Sequence, residues 1–80
     1  MDFETVLQQV TALARELFSA DKMEINETTS ASDIATWNSL NHVMLVASIE
    51  KSFGIKFDLL QMIEMKTIGD LARATFEMVK

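Results

Sequence analysis

Apolar residues recur three and four positions apart in this chain of 80 residues, and they are flanked by signals that start or end helices. The first such stretch covers residues 3–18, and Asp2 can cap it. A second runs from Ser39 to Phe53, with Asn38 as its cap and Gly54 placed to end it in a left-handed conformation. This spacing predicts amphipathic helices rather than strands.

Two further helices are indicated near the end of the chain. Asp58 can cap a short helix of roughly residues 59–65. Thr67 and Asp70 have the spacing of a capping box, with Asp in place of the usual Glu. They open a last helix that reaches about Val79, so the second half of the chain is predicted to be mostly helical.

A long connection separates the first two helices. Residues 19–37 are rich in Asp, Asn, Thr and Ser and show no sustained period, although Ile25, Ile34 and Trp37 could attach them to a core. Ordered loops of this length are more often functional than idle. The sequence predicts an all-α fold, a small bundle of three main helices plus one short helix with a long first loop, in a single domain over residues 1–80.

Composition limits the compartment and the partners. The chain has no Cys, so it has no disulfide and no side-chain thiol, which fits a reducing compartment. No charged and then apolar leader begins it, and its longest unbroken apolar run, residues 43–47, is far too short to span a bilayer. A net charge of −5 argues against nucleic acid as a partner. We expect a cytoplasmic monomer with no membrane span.

The charge is concentrated before the second helix. Residues 1–37 carry seven acids and two bases, which gives −5, whereas residues 38–80 carry five of each, which gives 0. Within residues 38–53, Glu50 is the one acid, and Lys51 offsets it. The start of the second helix is therefore predicted to be apolar and nearly uncharged.

Ser39 and His42 raise the question of catalysis. They lie three residues apart and so share one side of a helix, as a nucleophile and its base could. No acid is placed to orient His42, no Gly-rich turn suggests an oxyanion hole, and the chain is too short for a catalytic cleft. One His without Cys also gives no metal-ligand spacing. We expect no catalytic residue, no metal site and a solvated or interface position for His42.

Modification is a further role open to Ser39. A serine in the first turn of a helix lies near unpaired N–H groups and the positive end of the helix dipole, where an attached phosphodiester is favoured. Serine at a helix start is usually only a cap, however, so position alone leaves both roles open.

Three segments together resemble the acyl carrier proteins. Residues 33–40 read Asp-Ile-Ala-Thr-Trp-Asn-Ser-Leu, residues 50–55 read Glu-Lys-Ser-Phe-Gly-Ile, and residues 67–71 read Thr-Ile-Gly-Asp-Leu. The family shows an Asp-Ser-Leu signature, often preceded by Trp in discrete, specialised members, and a Thr-(Val/Ile)-x-Asp-Leu opening of the last helix. The likeness covers nearly the whole chain, and the predicted helices and long first loop agree with it.

The resemblance implies that Ser39 carries 4′-phosphopantetheine, which a magnesium-dependent phosphopantetheinyl transferase attaches from coenzyme A. The thiol of this arm would hold acyl groups as thioesters, so the protein would be a carrier that visits acyl-loading and acyl-transferring enzymes, not an enzyme itself. Leu40, Val43 and Ala47 fall where family members present an apolar docking surface, and Met44 extends that surface.

The chain departs from the family at two points. Asn38 stands where the family has Asp, so a carboxylate used in meeting the transferase is absent. The second helix also lacks the strong acidity of the primary carriers of fatty acid biosynthesis. We interpret the chain as a carrier for a dedicated lipid, polyketide or cell-envelope pathway. An aminoacyl or peptidyl carrier, or a non-modified helical interaction module with the carrier fold, remains an alternative.

Overall fold

The structure, a computed structural model, describes residues 2–20 and 23–80. Its helices are α1 (Phe3–Leu17), α2 (Ser39–Phe53), α3 (Leu59–Glu64) and α4 (Ile68–Val79), and these described ranges contain no strand. The predicted all-α fold with one short helix is confirmed. Asp21 and Lys22, which were counted in the charge of the first half, lie outside the described residues. None of the described helices has the length and apolar character needed to cross a bilayer.

Local capping sets the helix boundaries. Each helix follows a residue whose side chain accepts an N–H group of the first turn, and these caps are Asp2, Asn38, Asp58 and Thr67. Gly54 ends α2 with φ 67°, in the left-handed region, as predicted. The short helix ends at Glu64, one residue earlier than expected, because Met65 adopts an extended backbone.

The core lies among α1, α2 and α4, and α3 contributes no buried side chain. Along each main helix the buried residues recur at helical spacing, which places one stripe of each helix inward. These inward residues are Val6, Val10 and Ala14 of α1, Leu45, Val46 and Ile49 of α2, and Ile68, Leu71, Ala72 and Thr75 of α4. The three main helices therefore form the packed body, and α3 lies on its surface.

The long first loop is attached to this body. Ile34 and Trp37 are buried, as predicted, and Ile25 packs partly against the core. The N–H of Ile68 donates to the carbonyl of Thr29 at 2.9 Å, and the N–H of Gly69 donates to that of Glu27 at 2.9 Å. The loop thus reaches the first turn of α4 before it returns to start α2.

Candidate functional site around Ser39

Ser39 is the first residue of α2, and its side chain is exposed. The side-chain oxygen of Asn38 accepts the N–H of Asn41 at 2.9 Å, so the helix cap does not use the serine. Within the described residues, the Ser39 hydroxyl has no hydrogen-bond partner. This hydroxyl is therefore available for a reaction with a group from outside the chain.

The residues just before Ser39 are fixed by packing and hydrogen bonds. Trp37 is 4 % exposed and stacks on Phe18, with ring centroids 5.2 Å apart. The hydroxyl of Thr36 donates to the Phe18 carbonyl at 2.8 Å, and the side-chain amide of Asn41 donates to the Thr36 carbonyl at 2.6 Å. Because the end of the loop is held in this way, the position of Ser39 is defined even though its own side chain is exposed.

The electrostatics of the site favour a bound anion. The first turn of α2 contains no acid, and the unpaired N–H groups of a helix start carry partial positive charge. Lys66 lines an open groove beside Ser39, and its ammonium group pairs with no acid among the described residues. Asp33, the acid nearest before Ser39 in the sequence, accepts the N–H of Ser30 at 2.9 Å.

An open groove of about 670 Å³ begins beside Ser39 and runs between α2 and α3. We call it the Ser39 groove, and its lining includes Ser39, His42, Val43, Leu59, Met62 and Ile63. Most of these side chains are apolar, so the groove could receive an apolar group tethered to the serine.

His42 is not freely solvated, which was one of the two positions that the sequence indicated, and it lies in the lining of the Ser39 groove. It is half-buried, its Nδ1 accepts the indole N–H of Trp37 at 3.0 Å, and its Nε2 lies 2.9 Å from the carbonyl of Met62. Both ring nitrogens are thereby occupied, so the imidazole is not placed as a base for Ser39. The solvated alternative was wrong because it considered only α2 and not the loop and α3 that pack around it, and the interface alternative stays a prediction.

The four predicted docking residues, Leu40, Val43, Met44 and Ala47, are all exposed along the start of α2. Sequence reasoning missed a second group on α3, where Leu59, Leu60 and Ile63 are 70 %, 65 % and 62 % exposed. Their three- and four-residue spacing behind Asp58 could have revealed this group. Together the two helices present an apolar surface next to the serine.

Comparisons with known proteins agree with this geometry. The family described as "Phosphopantetheine attachment site" matches residues 8–75. The chain is similar to the solution NMR structure of holo acyl carrier protein from Geobacter metallireducens, with 36% identity, a TM-score of 0.81, and coverage of 90% of this chain and 83% of that one. A search of curated proteins found no match.

The family match spans most of the chain, and the structural match adds sequence identity to a shared fold. The exposed, unengaged hydroxyl of Ser39 and the open groove beside it also fit a covalently attached arm. This chain belongs to the acyl carrier proteins, which are not enzymes but carriers that hold acyl groups as thioesters on a covalently attached 4′-phosphopantetheine.

Proposed function

We propose that Ser39 is the attachment residue for the 4′-phosphopantetheine arm. The observation that carries the proposal is the exposed hydroxyl at the first residue of α2, which is left free because Asn38 provides the cap. The chain has no Cys, so the thiol that holds an acyl group must come from the attached arm. In the attachment, Ser39 Oγ loses its proton and bonds to phosphorus, the pyrophosphate bond of coenzyme A breaks, and adenosine 3′,5′-bisphosphate leaves.

The neighbouring residues would hold the phosphodiester and the start of the arm. The N–H groups of the first turn of α2 and the ammonium group of Lys66 supply positive charge on the side of the Ser39 groove. Because no acid lies in that first turn, nothing there opposes the negative charge of the phosphodiester.

We further propose that the exposed apolar residues of α2 and α3 form the docking surface for the transferase and for the acyl-handling enzymes. Residues 38–49 carry no Asp, Glu, Lys or Arg, so electrostatic steering at this surface should be weak. This supports a specialised carrier that works in a dedicated lipid, polyketide or cell-envelope pathway, as one domain in a reducing compartment. The acyl group could also be replaced by an aminoacyl group, since the serine does not discriminate between them.

The attachment residue is tested with the variant Ser39→Ala. Incubation with coenzyme A and a phosphopantetheinyl transferase should add the mass of the arm to the wild type and nothing to the variant. Ser52→Ala, an exposed serine later on the same helix, is the matched control and should be modified like the wild type. The free energy of unfolding of Ser39→Ala should change by less than about 0.5 kcal/mol because the side chain is exposed.

Two outcomes would contradict this assignment. If Ser39→Ala still gains the arm, the attachment residue is elsewhere; if the variant fails to fold, Ser39 has a structural role instead. Protein isolated from its native host with no adduct on Ser39 would favour the non-modified interaction module.

The docking surface is tested by the affinity of a cognate partner as salt concentration rises. We expect a shallow dependence on salt and a clear loss of affinity in Met44→Ala, which removes an exposed apolar side chain. Asp33→Asn, on the loop, is the comparison variant for charge. A steep loss with salt, with no effect of Met44→Ala, would show that charge and not the apolar surface governs recognition.

A further inference from the structure

One hydrogen-bonded side chain, that of His42, lines the Ser39 groove. An indole N–H can only donate and a carbonyl can only accept, so the contacts of His42 define a neutral imidazole with its proton on Nε2. That proton is donated to the carbonyl of Met62 on α3, while Nδ1 accepts from Trp37 in the loop. The imidazole therefore connects the loop, α2 and α3 in the lining of the groove.

Aromatic rings fill the path from this groove to the core. The His42 ring stacks over Trp37 with centroids 6.0 Å apart and planes inclined by 17°, and Trp37 in turn stacks on Phe18. Phe18 is 2 % exposed and belongs to the core cluster. Because His42 and Trp37 both line the groove, a chain that entered the bundle past these rings would have to displace the imidazole and the indole.

We propose that His42 is a specificity-determining residue that keeps cargo in the open Ser39 groove and keeps long aliphatic chains out of the helix bundle. The inference rests on Ser39 being the attachment residue. Moving the imidazole aside would leave the Trp37 N–H and the Met62 carbonyl without partners in an apolar setting, which is unfavourable. The carrier therefore suits acyl groups that the open groove can hold, because a long saturated chain gains no site inside the bundle.

The test compares butanoyl, octanoyl and dodecanoyl thioesters of the fully modified protein, with loading on Ser39 first confirmed by mass spectrometry. Each methylene buried in a folded site would raise the melting temperature by about 3–6 °C. We expect no such rise with chain length in the wild type. The chain has a single Trp, so its one indole N–H resonance should stay at the same position in all three wild-type forms.

Two variants distinguish the exclusion of long chains by His42 from a general effect of the substitution on stability. His42→Ala removes both hydrogen bonds and opens space, so its melting temperature should rise with chain length and its indole resonance should shift. His42→Gln can still accept from Trp37 and donate to Met62, so it should behave like the wild type.

The proposal is overturned if the wild type itself melts at higher temperature with each longer chain and its indole resonance moves, because cargo then passes the imidazole. This wild-type series decides the matter even if His42→Ala does not fold. Loading at a residue other than Ser39 would be seen by mass spectrometry and would overturn the attachment proposal together with this one. A correctly loaded protein that fails the chain-length test overturns the role of His42 alone.

Discussion

The contact between α1 and α4 and the surface around Ser39 are built in opposite ways. At the first, the inward side chains are fully buried, and the one polar side chain among them, Thr75, donates its hydroxyl to the Leu71 carbonyl at 2.8 Å. At the second, no side chain of α3 is fully buried; Met62 packs partly against the core, Phe57 and Met65 on either side of the helix are buried, and His42 donates to the Met62 carbonyl. Full burial stabilises the first region, whereas partial burial and directed hydrogen bonds position the second.

This division explains how so small a protein can leave large apolar side chains in water. The packed body is formed by the inward stripes of α1, α2 and α4, so the exposed apolar side chains of α2 and α3 near Ser39 are not part of the core. They remain available to meet partners, and the loss of any one of them should cost little stability. The two regions should therefore respond very differently to the same kind of substitution.

The largest difference is expected from truncating matched apolar residues. Leu71→Ala, at a side chain with no exposure, should lower the free energy of unfolding by about 2–5 kcal/mol. Ile63→Ala on α3, where the side chain is 62 % exposed, should change it by less than about 0.5 kcal/mol. Chemical denaturation of both variants measures this contrast. Equal losses would show that α3 is part of the packed body.

Substitution of the two glycines by alanine should lower stability for different reasons. A Cβ on Gly69 would lie 2.7 Å from the carbonyl oxygen of Glu27, so Gly69→Ala should cost about 1–3 kcal/mol by forcing the loop off α4. A Cβ on Gly54 would meet nothing within 4 Å, and Gly54→Ala should cost about 1 kcal/mol through its left-handed backbone alone. The melting temperatures of the two variants would show which substitution lowers stability more. If Gly54→Ala proves the more damaging, close packing of the loop on α4 is not a main source of stability.

Acid should weaken the packed body through Asp70. Partial burial alone would raise the pKa of this carboxyl, but hydrogen bonds from the Lys66 N–H, the Arg73 guanidinium and the Thr67 N–H together lower it below its ordinary value of 3.8. Because the folded-state pKa is the lower one, the stabilisation is present above about pH 4 and is lost as pH falls through the folded-state value.

The variant Asp70→Asn isolates this effect. It should be less stable than the wild type by about 0.3–1 kcal/mol at neutral pH, because the amide oxygen can still accept but the negative charge near the helix start is lost. The difference should shrink on acidification, which denaturation at a series of pH values would show. If the difference in stability between the two proteins does not change with pH, the charge of Asp70 does not contribute to the stability of the folded protein.

A small gain in stability is expected from a change at Asn38, the residue just before Ser39. Asn38→Asp keeps the cap and adds a negative charge at the helix start, so it should gain about 0.3–1 kcal/mol. It also restores the carboxylate of the family signature, so we expect faster modification by a phosphopantetheinyl transferase. Rates for the two proteins, measured side by side, check this. Equal rates would show that the amide at this position serves the transferase as well.

The helix ends could be predicted from the sequence because their signals are local. Asn38 caps α2 and Gly54 ends it, and both act on residues within one turn. The attachment of the loop to the core could also be predicted, since Ile34 and Trp37 are large apolar side chains in a polar segment and are stabilised by burial. Patterns of this kind need no knowledge of the tertiary structure.

The contacts of His42 could not be predicted because they join separate elements. Its partner Met62 lies 20 residues away, and the acceptor is a backbone carbonyl that any residue type could provide. For α3, the spacing of its apolar residues indicates a helix but not whether that helix is covered. The docking residues at the start of α2 came from the family resemblance combined with an excess of apolar residues that one buried stripe does not need.

The pairing of the loop with the start of α4 has a consequence for how the protein opens. The first N–H groups of a helix ordinarily have no intrahelical partner and exchange their hydrogens readily with water. Here those of Ile68 and Gly69 are donated to the carbonyls of Thr29 and Glu27. Their protection therefore lasts only as long as the loop stays in place. The loop and the last helix should open together, as one cooperative unit, although all of α2 and α3 separates them in the chain.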